Sequence, residues 1–404
     1  MDHAVRMKKL DADFLSILFA LLLITFARMM PPFIGADGNE LVVRLGLEIS
    51  VLGGISIYLF VKQRLTPFVY LAIVFALYMM NWILSAEKIQ HVLSHFNKFA
   101  LLLLLSEMLF LSYPLASFLK KIWCVVWVIF SLMAIMVFVT HVSGLFKLIN
   151  IGGNHNYYYF PYFGYAVMKF LNNGFGIPRY VGFLNEPIHF GFFAGFNMII
   201  AQKLFASKKY ARYFSGLNMV AGLLTFSYAF YLSMGMYLLL WRHISKIPSK
   251  YIYVGSVLFI LFAAGLGNEL ITLPHSSQGD RLKRYHLALV YIQGLNLDAY
   301  LYGAGLVPFQ HAIGRGSSSA LIDVFVSRGI FIFFAWAYLL HNRCKYIPGL
   351  LFYIVFYSLF TNLWSYPLFI VGVAIATSYS KFKTHALSEQ HRSRMLFSND
   401  TVSI

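Results

Sequence analysis

Charged side chains are scarce in this chain, at 12% of its 404 residues, whereas a soluble domain carries about a quarter. That shortage excludes an ordinary water-soluble fold. Cysteine is scarcer still: Cys124 and Cys344 are the whole supply, too few for a disulfide framework or a Cys-rich zinc or iron–sulfur site. No zinc motif, P-loop, dinucleotide fingerprint or nucleophile elbow is present. Cofactor-free and metal-free chemistry is therefore the expectation.

What fills the space is apolar. Hydrophobic residues make up 59% of the chain, with 40 Phe and 27 Tyr. A bilayer core about 30 Å thick takes roughly 20 apolar residues per helix. Such runs lie near 12–30, 41–61, 66–85, 99–119, 122–141, 187–206, 252–271, 320–340, 349–362 and 364–380. The stretch 214–241 is too long for one ordinary span and carries basic residues on both flanks. It predicts two short passes turning at Thr225-Phe226-Ser227-Tyr228, although one long tilted helix is the alternative.

The net charge of +17 would suggest nucleic acid in a soluble protein; in a membrane protein it reports topology. Of 32 Lys and Arg, 20 fall on the side that holds the N-terminus. The positive-inside rule then predicts about 12 passes with both termini cytoplasmic, and no nucleic-acid partner is expected. The run at 12–30 ends Phe26-Ala27-Arg28-Met29-Met30 without an A-x-A site, which predicts an uncleaved anchor. The expected fold class is an all-α polytopic membrane protein, a single membrane domain over 1–404 with two large periplasmic loops, 142–186 and 272–319.

Those loops are where an extramembrane site has room. The first ends Arg179-Tyr180-Val181-Gly182-Phe183-Leu184-Asn185-Glu186-Pro187. Pro187 suits the first turn of a helix, and Asn185 or Glu186 can cap its free amides. Arg179 and Glu186 are then expected beside a helix N-terminus, which favours anions. Capping is the commoner use of a residue such as Glu186, and catalysis is the alternative. The second loop carries Arg281, Lys283, Arg284 and Arg315, where external loops are usually poor in Lys and Arg. Their forked guanidinium groups suit phosphate, so an anion site is expected over contacts with headgroups or with Asp280 and Asp298. The Tyr-rich run 157–165 reads as an interfacial belt before a sugar-stacking surface. Within the spans, Arg44 and Glu48 can pair on one helix face, Glu107 has no evident local partner, and Asp323 with Arg328 can orient the helix that carries them.

Taken in order, the ending R-Y-V-G-F-L-N-E-P, the turn L-T-F-S-Y, the segment G-D-R-L-K-R-Y-H-L-A-L, and then G-A-G and S-S-S before a G-I helix resemble the O-antigen polymerase and ligase family. The motifs cover about residues 142–340. The resemblance implies a GT-C-like architecture and an enzyme that takes a glycan from undecaprenyl pyrophosphate and joins it to an acceptor sugar hydroxyl. Carried onto this chain, it implies that Arg179 and Arg281 bind pyrophosphate and that Glu186-Pro187 matches a recurrent pair behind the first; Arg284 and Arg315 stand beside them as candidate substrate-binding residues, and Glu186 and His311 are the candidate catalytic residues, with His189 and His286 as further candidate bases. Ligases show His-Asn where Ser318-Ser319 stand here, and Tyr228 follows Ser227 where the family has Arg. The first departure points to a polymerase of surface polysaccharide. The implied partners are lipid-linked donor and acceptor, membrane lipid and a chain-length regulator protein; a ligase and a lipid-linked oligosaccharide flippase are the competing readings.

Overall fold

The computed structural model describes residues 39–85, 87–143, 187–244, 277–314, 319–345, 347–361 and 368–378, with shorter pieces at 149–152, 157–159, 167–170, 178–182, 184, 251, 317 and 363–364. The first elements are α1 (Asn39–Val61), α2 (Thr66–Ser85), α3 (Ile89–Leu111) and α4 (Tyr113–Val142). A four-stranded antiparallel sheet follows, in the order β1 (Ile149–Gly152), β2 (Tyr157–Tyr159), β3 (Val167–Phe170) and β4 (Pro178–Gly182). Then come α5 (Pro187–Leu204), α6 (Lys208–Leu223), α7 (Tyr228–Ile244), α8 (Ser277–Gln293), α9 (Leu297–Tyr302), α10 (Leu306–Ile313), α11 (Ala320–Cys344), α12 (Pro348–Tyr357) and α13 (Leu368–Ser378).

Four of these helices are long and apolar enough to cross a membrane: Thr66–Ser85, Ile89–Leu111, Tyr113–Thr140 and Ala320–Cys344. Their outward faces are apolar as well; Val69, Ile73, Ile83, Val125 and Phe334 are all more than half exposed. Water would make such a surface an aggregation hazard, whereas acyl chains solvate it. The buried centre is built from α3, whose run Phe99-Ala100-Leu101-Leu102-Leu103-Leu104-Leu105-Ser106 is enclosed throughout, as expected of a helix apolar on every side.

Helix α5 is packed by close approach. Gly191 and Gly195 stand four apart, and a Cβ on Gly195 would fall 2.1 Å from the Tyr353 hydroxyl. Small residues at this spacing let a neighbouring helix sit close; here α12 does so, with Tyr357 donating to the Ile188 carbonyl (2.7 Å) and Tyr353 to the Phe192 carbonyl (3.1 Å). A polar chain crosses the same core: Trp123 Nε1 donates to Asn197 Oδ1 (2.8 Å), and Asn197 Nδ2 to Asn218 Oδ1 (3.0 Å).

The hairpin expected within 214–241 is present: α6 ends at Leu223, residues 224–227 turn, and α7 begins at Tyr228. Two expectations need correction. The spans drawn at 99–119 and 122–141 divide instead at Ser112, which is extended, because Pro114 cannot continue a helix begun before it. Lys120 and Lys121 thus lie within α4, and Lys120 reaches across to the Leu204 carbonyl at the end of α5 (3.2 Å). Finally, the first large loop adds a small sheet to an otherwise helical chain. The runs at 12–30 and 252–271 lie outside the described residues.

Candidate functional site

Strand β4 delivers Arg179 to the hairpin turn. Its register against β3 sets Arg179 opposite Lys169, and the strand is tethered to the turn by Tyr180 N–H donating to the Leu224 carbonyl (3.3 Å). Arg179 Nε donates to the Thr225 carbonyl (3.3 Å). The turn itself is held by Thr225, whose hydroxyl donates to the Gly222 carbonyl (2.6 Å) and accepts from Ser227 N–H (3.2 Å). Tyr180 is buried between α4 and α5, its ring edge-on to Phe190 at 4.8 Å, and this burial pushes its phenol well above the usual range. It anchors β4 and is no proton donor or acceptor near neutral pH.

A second turn, residues 358–361, gathers three other elements. His189 of α5 meets the Thr361 hydroxyl (3.1 Å), and Tyr285 of α8 donates to the Leu359 carbonyl. Ser319, at the start of α11, donates to the Ser358 carbonyl (3.1 Å). The beginning of α5 and the basic segment of α8 therefore share one end of the bundle. Arg284, half-buried on α8, adjoins Tyr285.

The remaining candidates divide sharply. Arg281 lies on α8, with nothing described of its side chain; Glu186 and Arg315 lie outside the described residues. His311 is exposed on α10. Ser319, at the offset where ligases carry His-Asn, is a helix cap that accepts from Ile322 N–H. No three His, Cys, Asp or Glu side chains converge in a metal-holding group among the described residues.

Sequence reasoning missed the tightest polar cluster. Helix α11 breaks at Gly329, where φ is 80°; a Cβ there would lie 2.4 Å from the Leu301 carbonyl oxygen. The Gly303-Ala304-Gly305 segment fills the break, with Ala304 N–H donating to the Val326 carbonyl (2.8 Å) and Gly305 N–H to the Ser327 carbonyl (3.2 Å). Arg328 is 1% exposed. It grips Glu87 through both terminal nitrogens, at 2.6 and 3.2 Å, and reaches Asn81 Oδ1 at 3.0 Å. Glu87 also accepts from Leu306 N–H (3.1 Å) at the start of α10. Asp323, which had been grouped with Arg328, instead holds the Ser317 hydroxyl and N–H (2.6 and 2.9 Å). The cluster clamps the second loop to α11 and α2. The signal in the sequence was the G-A-G followed by R-G, read there as a motif of a loop rather than as two sides of one joint.

No protein-family model, curated protein or solved structure matches this chain.

Proposed function

We propose that the chain is a cofactor-free membrane glycosyltransferase that joins undecaprenyl-pyrophosphate-linked oligosaccharide repeats into a surface polysaccharide. The observation that carries this reading is the docking of β4, with Arg179, on the hairpin turn at the end of the bundle where His189 of α5 and Tyr285 of α8 meet residues 358–361. A pyrophosphate leaving group gathers negative charge as its bond to the sugar breaks. Arginines held in place before the reaction, beside the N-terminus of α5, would stabilise that charge without reorganising. The attacking hydroxyl needs a base within hydrogen-bond reach; Glu186, His189, His286 and His311 are the candidates. Direct displacement inverts the anomeric centre. In this reading about 12 passes in a GT-C-like arrangement carry the site on the periplasmic side, with both termini cytoplasmic.

One observation favours a transporter: broken helices with buried charges mark many solute paths, and α11 is such a helix. Its freed carbonyls at Val326 and Ser327 are already taken by Ala304 and Gly305, which leaves them no role in holding a solute.

Purified protein supplied with lipid-linked repeats alone tests the proposal. Lengthening glycans on the lipid carrier are expected; transfer only when lipid A-core is added would make it a ligase, and movement of intact donor between leaflets without bond formation a flippase.

A further inference from the structure

At the end of the bundle away from His189, the end of α5 and the first two turns of α6 border an open groove of about 610 Å³. Gln202 and Phe205 line one side of it, and Lys208, Ala211, Arg212 and Ser215 line the other, the four α6 positions sharing one face at helical spacing. Lys208 and Arg212 are exposed, and neither makes an ion pair or a hydrogen bond with a described residue. No acid is placed to neutralise them. Helices α4, α5, α6 and α7 contain no Asp or Glu, and Glu107, near the end of α3, is held by Arg343. Ser207, where α6 starts, makes no side-chain cap, so the positive end of the helix dipole adds to the same field.

We propose that this groove binds the phosphate of an anionic membrane phospholipid. Basic segments beside spanning helices attract anionic headgroups, and a free guanidinium and a free ammonium one turn apart can grip a single phosphate together. The Gln202 amide can donate to the same oxygens or to a headgroup hydroxyl. A lipid is favoured over a soluble phosphate ester by the way α6 continues. Lys209, Tyr213, Gly216, Val220 and Leu223 succeed one another along an adjoining exposed stripe, passing from cation to phenol to bare backbone to aliphatic. Tyr210 and Tyr213 are 63% and 64% exposed, and the Lys209 ammonium lies 5.9 Å from the centre of the Tyr213 ring; rings of this kind sit at headgroup level. A Cβ on Gly216 would meet nothing within 4 Å, which leaves an acyl chain a track below the headgroup, past Val220 and Leu223. The groove takes no part in the reaction proposed above, so failure of either leaves the other standing.

The full-length protein in detergent is to be offered dioleoyl phosphatidylglycerol, dioleoyl phosphatidylcholine or glycerol 3-phosphate, with retention read by native mass spectrometry. Phosphatidylglycerol is expected to be retained in preference to the zwitterionic lipid, and glycerol 3-phosphate not to be retained. Lys208→Gln and Arg212→Gln change exposed residues and should keep the wild-type melting curve; each should lower retention of phosphatidylglycerol about fivefold, the share of one basic residue near an anionic surface. Lys62→Gln, on an exposed lysine just past the end of α1, should leave retention unchanged. Equal retention of phosphatidylcholine would overturn the anion preference, and equal retention of glycerol 3-phosphate would give the groove to a soluble phosphate ester. Unchanged retention in the variant carrying both Lys208→Gln and Arg212→Gln, or an equal loss with Lys62→Gln, would overturn the site.

Discussion

Arg328 and Arg343 lie on the same helix, and each contacts a glutamate at 2.6 Å, yet the two pairs are built for different ends. The Arg328–Glu87 side chains are 2% and 0% exposed, and Asn81, the Leu306 amide and the His91 carbonyl add further hydrogen bonds to the pair. The Arg343–Glu107 side chains are 8% and 30% exposed and open on a cavity. The first pair has no room for anything but protein. The second has space beside it. Burial thus decides whether an ion pair in a membrane bundle is sealed in protein or left open at a cavity.

Breaking the joint should have the largest effect. Arg328→Met leaves Glu87 buried without its counterion, which costs about 3–5 kcal/mol; the detergent-solubilised protein should melt at clearly lower temperature. Adding Glu87→Gln should recover part of the loss, and a wild-type melting curve for Arg328→Met alone would remove the joint.

Next in size is Arg179→Lys, whose effect should fall on rate. Lysine keeps the charge but loses the planar fork, and removal of one preorganised donor costs about 10²–10³ in turnover. Polymer yield should drop at unchanged protein level and melting temperature. A stability loss with normal turnover would make Arg179 a fastening for the hairpin turn and nothing more.

Gly329→Ala should follow. A side chain at positive φ costs about 1–3 kcal/mol, and the Leu301 carbonyl stands where the methyl would go. Proteolysis of the 303–305 segment should speed up as the second loop loosens from α11. Smallest is Glu107→Gln: with Glu107 30% exposed, screening holds the loss to under about 1 kcal/mol. A melting shift as large as that of Arg328→Met would erase the distinction between the two pairs.

Several elements were legible before the fold was known. The apolar runs at 66–85 and 187–206 correspond to the helices α2 (Thr66–Ser85) and α5 (Pro187–Leu204). The hairpin followed from Lys208, Lys209 and Arg212 on one flank and Arg242 on the other. Of the candidate site, the start of α5 was readable from Asn185-Glu186-Pro187, since proline suits the first turn of a helix. The sheet was not readable, because its strands are short and pair only with one another. Nor were the partners of the charges: Glu107 meets Arg343 across 236 residues of sequence, and Glu87 meets Arg328 across 241.

Hydropathy by itself determined the solvent of this protein and the rough position of most helices, because transfer of a helix into lipid depends on the residues within that helix. The tertiary structure decided which helices touch, that α11 breaks at Gly329, and which arginine is sealed and which is left beside a cavity. Those outcomes depend on desolvation, and how much water a charge loses is set by every helix packed around it and by none of them alone.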